Sequence, residues 1–237
     1  MSRKNQKQAF SKVLILVAVV ALALSLSLPG WGELRLAGGE DGGTSKKMQV
    51  KALGKTYGQW SVEWFQYIAA IPADQNPLFS DGEVDLSIGQ HGHVWFLAGS
   101  WVGPVERIGE VPEGKVLFFP IFNVWWAYEP GEEITEDGMR DAIAEAVDAV
   151  DFLHCTVDGR ASAIYYPTVR EQSPAFAYSS ELLGDTELAV SDGYWVMIPP
   201  LPVGEHVIHF DGGITDWGWM QDVTYNITVV EDDDNDD

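Results

Sequence analysis

Apolar residues recur along this chain at two spacings, and each spacing predicts a different element. In "TYGQWSVEWFQYIAAIP", residues 56–72, Trp60, Trp64, Ile68 and Ile71 fall every three or four positions, the period of one helix face. Thr56 stands three residues before Gln59, a capping-box spacing, and Pro72 supplies the stop. Gln59, Glu63 and Gln66 form a polar stripe beside the apolar one. The run "EEITEDGMRDAIAEAVDAVDF" predicts a second helix. Thr135 caps it, Glu136 and Asp137 sit at the positive end of its dipole, and Ile143, Ala146, Val147 and Val150 face inward. Asp141, Glu145, Asp148 and Asp151 make a solvated outer face.

Elsewhere the apolar runs are short and rich in β-branched and aromatic residues. "HVWFLAG", "KVLFFPIFNVWW", "HCTVDG", "AIYYP", "YWVMIP", "EHVIHF" and "DVTYNITVV" predict strands, each bounded by Gly, Pro or Asp. Two turns are near copies, "VPEGKVLFF" and "LPVGEHVIHF": Pro fixes φ, Gly two positions on permits the reversal, and a strand starts. The pattern predicts an α+β fold, mainly β. The expected form is an immunoglobulin-like or jelly-roll-type β-sandwich with two packed amphipathic helices.

A chain of 237 residues, 46% hydrophobic, fills one core and is short for two. Residues 1–30 read as a signal peptide or N-terminal membrane anchor, because Arg3, Lys4, Lys7 and Lys12 precede the apolar run Val13–Leu28. The Gly-rich stretch 31–54 reads as a flexible linker, 55–230 as a single β-rich domain, and 231–237, "EDDDNDD", as a disordered acidic tail. The product is expected outside the cytoplasm, secreted or held by its leader. Removing residues 1–30 would take four positive charges from a net −22 and leave −26. Such a surface repels phosphate backbones and anionic headgroups, so neither nucleic acid nor a peripheral membrane is an expected partner. Cys155 is the only cysteine, so no internal disulfide forms and the core holds by packing.

The blocks "GQHGHVWFLAG", "VPEGKVLFFPIFN", "SDGYWVMIPPLPVGEHVIHFDG" and "DVTYNITVV" together resemble a family of exported, largely uncharacterised bacterial proteins. The likeness spans roughly residues 55–230 and implies export and a shared fold, but no activity. Some members of that family place cysteines around the first two blocks; Leu86, Ser87, Ile88 and Ile108 stand in that region here, so a bridge of that kind is absent. An H-x-H pair ahead of a P-x-G turn is also a cupin habit. The glutamate of that family does not follow, and Leu117 stands where its second histidine would, which weighs against it.

Two constellations are candidate sites. His91 and His93 would share one face of an extended strand, so both could reach a divalent metal, joined by one of His206 or His209. His206 and His209 are three apart and belong on opposite faces of a regular strand. The bland alternative is that the four imidazoles satisfy turn amides. Trp217 and Trp219, in "DGGITDWGWMQD", would form a flat platform for a carbohydrate or other cell-surface ligand. Trp125 and Trp126 are strand neighbours facing opposite ways, with Tyr128 beside the outer one. Here the alternative is that these rings lid the ends of the sandwich.

Catalytic signals are thinner. Glu63 flanks an aromatic stripe where burial would raise its pKa, although a solvated stripe with Gln59 and Gln66 is the better account. "SDGEVD" offers hard oxygens for calcium but fits no EF-hand register, since Leu78 takes a ligand position counted from Asp74. Arg107 and Lys115 are expected to pair with acidic neighbours. His154 and Cys155 point oppositely on a strand, and no G-x-S-x-G, phosphate loop or H-E-x-x-H occurs. The sequence therefore reads as a non-catalytic binding or structural module, with a metal-dependent enzyme on His91, His93 and one of His206 or His209 as the rival.

Overall fold

The helix predicted from Thr56 forms with both halves of its capping box. In the computed structural model, which describes residues 51–161 and 168–231, α1 spans Tyr57–Ala70 and Thr56 accepts from the Gln59 amide. The Gln59 side chain accepts in return from the Thr56 amide. Just before it, β1 (Lys51–Ala52) and β2 (Lys55–Thr56) form a two-rung ladder, so regular structure starts ahead of the expected boundary at 55. After α1 come β3 (Gly82–Glu83), β4 (Val94–Phe96), β5 (Val105–Pro112), β6 (Val116–Ala127) and α2 (Glu136–Asp148). The chain continues through β7 (Phe152–Val157), β8 (Arg160–Ala161), β9 (Val169–Gln172), β10 (Phe176–Tyr178), β11 (Thr186–Ile198), β12 (Gly204–Ile214) and β13 (Trp219–Val230). The leader, most of the expected linker, the strand expected at "AIYYP" and the acidic end past Glu231 lie outside the described residues.

These strands make two mixed sheets. The first runs β10-β11-β6-β4, with β9 also against β11; the second runs β3-β5-β13-β12-β7-β8. The pairs β4–β6, β3–β5 and β5–β13 are parallel and the rest antiparallel. The fold is a mainly-β sandwich carrying two helices, as the patterning predicts. Both turns with the Pro-x-Gly spacing place their glycine at positive φ, +77° at Gly114 and +135° at Gly204.

The first sheet is covered on both faces, and this explains why "VLFFPIFNVWW" is apolar without alternation. On one face α1 buries Trp60, Trp64, Phe65 and Ile68 against Phe118, Trp195 and Met197. Phe118 and Trp195 stack at 5.2 Å, a contact worth about 0.5–1.5 kcal/mol beyond area burial. The opposite face is shared. Leu117, Phe119 and Ile121 meet the second sheet, whereas Phe122 and Val124 meet α2. A bulge makes the division: Tyr194 pairs with Phe122 but Trp195 with Pro120, leaving Ile121 as the extra residue. Pro120, which has no donor to lose, sits in it, and Gln221 donates to the carbonyls of Pro120 and Ile121.

Two arginines fasten the layers. Arg170 on β9 reaches the buried Asp192 of β11 at 2.9 Å, Asp148 of α2 and the Ala144 carbonyl, tying α2 to the first sheet. Arg107 on β5 is fully buried. It donates to the carbonyls of Ser80 (3.1 Å), Ala98 (2.9 Å), Gly99 (2.9 Å) and Pro77, and to the Tyr225 hydroxyl (2.7 Å).

Close approach fixes Gly58 in the first turn of α1, because a Cβ there would lie 2.3 Å from the Gln172 carbonyl of β9. Helix propensity alone favours Ala over Gly by about 1 kcal/mol. Gly58→Ala is nevertheless expected to destabilise the fold by about 1–3 kcal/mol through overpacking, read from urea unfolding. Unchanged or increased stability would show that α1 does not pack on β9 as described.

Candidate functional site

The four histidines of the metal reading do not converge. His91 and His93 are exposed in an irregular bend ahead of β4 rather than on an extended strand, so the shared face required of them is not formed. His206 and His209 lie on β12, in the other sheet. As strand parity requires, they face opposite ways. His209 Nε2 lies 3.0 Å from Asp222 on the outer face, whereas His206 shares the inward side of Ile208 and Phe210. Among the described residues, no three or more His, Cys, Asp or Glu side chains are grouped to hold a metal ion.

The aromatic residues are placed differently from a flat platform. Trp217 and Trp219 are half-buried and perpendicular, with centroids 5.6 Å apart at 90°. The 3-10 turn Thr215–Trp217 and the left-handed Gly218 separate them, so the strand-like alternation that would align them is broken. Trp125 and Trp126 do take opposite faces. Trp125 stacks on Trp101 at 5.5 Å and 5° on the α1 side. Trp126 donates to Glu132 at 3.3 Å on the α2 side, where the Tyr128 hydroxyl reaches the Glu132 carbonyl, also at 3.3 Å. Trp126, Tyr128, Trp217 and Trp219 all lean, half-exposed, on the apolar cluster under α2.

The charged candidates resolve into structural roles. Glu63 is paired with Lys55. Asp81 accepts from the Glu106 amide at 2.8 Å and Asp85 from the Ser87 amide at 2.9 Å, so both serve turns. Arg107 does not meet a carboxylate: its partners are backbone carbonyls and Tyr225. Lys115 donates to the Gly92 carbonyl at 3.1 Å and lies 5.7 Å over the Trp95 ring, not in an ion pair. His154 is exposed beside the buried Cys155, as alternation on β7 dictates.

The concavity with chemistry in it lies where β3 gives out. Only Gly82 and Glu83 pair with β5, after which the chain crosses toward the first sheet through Val84–Ser87. That crossing opens a cleft of about 600 Å³ along β5, a size typical of small-molecule and peptide sites. Val84, Leu86, Trp95, Ile108, Pro112 and Val230 give it apolar walls; Glu83, Asp85 and Glu110 give it an acidic rim. Ile108 is 50% exposed, a large apolar side chain left in water at the cleft. Trp95 is 5% exposed, and its buried indole Nε1 has no hydrogen-bond partner among the described residues. Glu83 and Glu110 make no ion pair among the described residues. Hydrogen bonds from the Ser87 side chain and amide hold Asp85 below the usual carboxylate value, which keeps the rim charged.

Of these cleft residues only Glu83 and Asp85 stand out in the sequence, and there as part of the acidic run "SDGEVD". The alternation in "VERIGEVP" marks a strand with Ile108 on the polar side, and that out-of-place isoleucine is the signal for the cleft's apolar wall.

His206 is an electrostatic clasp rather than a ligand. Its Nδ1 lies 2.9 Å from Asp158 and its Nε2 2.8 Å from the Pro202 carbonyl, so only the doubly protonated ring satisfies both acceptors. Burial pushes its pKa down, but the bonds to Asp158 and Pro202 outweigh this and set it above 6.5. Burial likewise pushes Asp158 up, and the bonds from His206 and the Val207 amide bring it below 3.8. The Asp158 contribution is complete above about pH 3.8 and fades as acid approaches the lowered value. The His206 contribution is complete below about pH 6.5 and fades as the pH rises through the raised value. Asp158→Asn is therefore expected to cost most stability between about pH 4 and 6.5, by thermal unfolding, with the loss shrinking above and below that window. A pH-independent loss would contradict the clasp.

Compared with known protein families and with curated protein sequences, the chain matches none.

Proposed function

We propose that this chain is an exported, non-catalytic binding module, and that the cleft beside β5 is its ligand site. The observation that carries the reading is the cleft wall itself: Trp95, an exposed isoleucine and two glutamates without an ion pair among the described residues line one concavity. Apolar walls with a few convergent polar groups are the usual composition of a binding site. Export is supported by the basic leader ahead of Val13–Leu28 and by the likeness to exported bacterial proteins. A second contact surface, for a glycan or other cell-surface ligand, is favoured by the gathering of Trp126, Tyr128, Trp217 and Trp219 on one cluster. Edge-on and half-buried, those rings offer less flat area than a stacked platform. The metal-enzyme reading finds its histidines on separate elements.

Fluorine NMR of protein labelled with 5-fluorotryptophan separates the two surfaces, with resonances assigned through Trp95→Phe, Trp217→Phe and Trp219→Phe. Screened against defined cell-wall glycans, peptides and small amphiphiles, a ligand is expected to move the Trp95 signal and leave Trp217 and Trp219 in place. A ligand that moves only the latter two would transfer the function to the aromatic surface and remove it from the cleft.

A further inference from the structure

We infer that the cleft takes a short, extended, cationic peptide segment, which adds as a strand beside the free side of β5; this rests on the reading of the cleft as the ligand site. Three independent features converge on that chemistry.

The first is backbone geometry. Along β5, successive residues direct their N–H and C=O groups to alternate sides. The Ile108 carbonyl accepts from the Val84 amide at 2.9 Å and the Glu106 amide donates to Asp81, so the even-numbered residues face away from β13. The next residue on that side is Glu110, and β3 pairs only as far as Ile108. Its amide and carbonyl therefore point to the side where no strand pairs with β5, next to the crossing residues Val84 and Leu86 that pack against Gly109. An extended chain offers complementary groups at the same spacing, which is how peptides extend sheet edges. Pro112, the following even residue, has no N–H and limits the addition to a short segment.

The second is charge. Glu83, Asp85 and Glu110 line the cleft and, among the described residues, no Lys or Arg does; Lys115, over the Trp95 ring, is committed to the Gly92 carbonyl. The chain as a whole carries −22, so its long-range field also draws in cations. An anionic or phosphorylated partner is disfavoured on both counts.

The third is the wall. Trp95 lines the cleft as an apolar surface, its Nε1 buried beneath and without a hydrogen-bond partner among the described residues. Ile108, Val84 and Leu86 offer apolar contact for side chains alternating with the cationic ones.

Binding of an acetylated, amidated pentapeptide alternating lysine and valine to the full chain, followed by calorimetry and by methyl NMR of Ile108 and Leu86, tests this. Two controls accompany it: the same peptide with glutamate for lysine, and one with N-methylated backbone amides. Only the first peptide is expected to bind and shift both methyl signals. Its affinity is expected to fall about tenfold in the Glu83→Gln, Glu110→Gln double variant and again at high salt. Equal binding of the glutamate peptide would overturn the charge assignment, and equal binding of the N-methylated peptide would overturn strand addition, while either leaves the cleft standing as a ligand site. Failure of all three to move the Ile108 and Leu86 signals overturns the peptide assignment; the fluorine screen then decides whether the cleft binds anything else. Concentration-dependent shifts of the same signals without peptide would show a second copy of the chain in the cleft, and would also overturn it.

Discussion

A guanidinium with all five of its N–H groups engaged holds this fold at its most crowded point. Arg107 is inaccessible to solvent, and among the described residues it makes no ion pair with a carboxylate. Burying that charge costs several kcal/mol, offset here by four carbonyl dipoles and one hydroxyl aimed at it. Those acceptors come from distant parts of the chain: the 3-10 turn Pro77–Phe79 and its exit, the strand end at Ala98–Gly99, and Tyr225 on β13. Tyr225 in turn bonds both the amide and the carbonyl of Ala98 at 3.0 Å. One side chain thus links the segment after α1, the exit of β4 and the centre of the second sheet. It also orients β5, so that with Arg107 inward, Ile108 and Glu110 must face out along the cleft. The candidate site is in this sense a consequence of the buried arginine.

The elements of the fold were legible wherever a local rule decided them. Thr56 and Gln59 specify a helix start through their own hydrogen bonds, and Trp60, Trp64 and Ile68 fix which face is buried. The Pro-x-Gly turns are equally local. What local rules could not supply is the partner of each strand. The "VLFFPIFNVWW" run announces a strand buried on both sides, yet only the bulge at Ile121 determines that its second face is divided between the other sheet and α2. The strand of Arg107 is hidden in the sequence for a similar reason. A charged residue at an inward position reads as an interruption until its five acceptors, up to 118 residues away, are assembled around it.

The candidate chemistry was harder to read because it depends on tertiary placement. His91 and His93 have ligand spacing only if the backbone between them is extended, and it bends instead. Trp217 and Trp219 share a face only in a strand, and Gly218 turns them apart. Trp95, by contrast, sits in a run that reads as ordinary core. It becomes notable only because the crossing at Val84–Ser87 leaves a gap above it and no acceptor for its indole.

Hydrogen exchange of the Arg107 Nε–H group, followed by nitrogen-15 NMR against the amides of Val223 and Tyr225, tests the central claim most directly. If the guanidinium is the clamp described, its proton is expected to exchange only with the global opening that frees those core amides, and with the same denaturant dependence. Exchange at the rate of an open guanidinium, while Val223 and Tyr225 stay protected, would show that the fold stands without it.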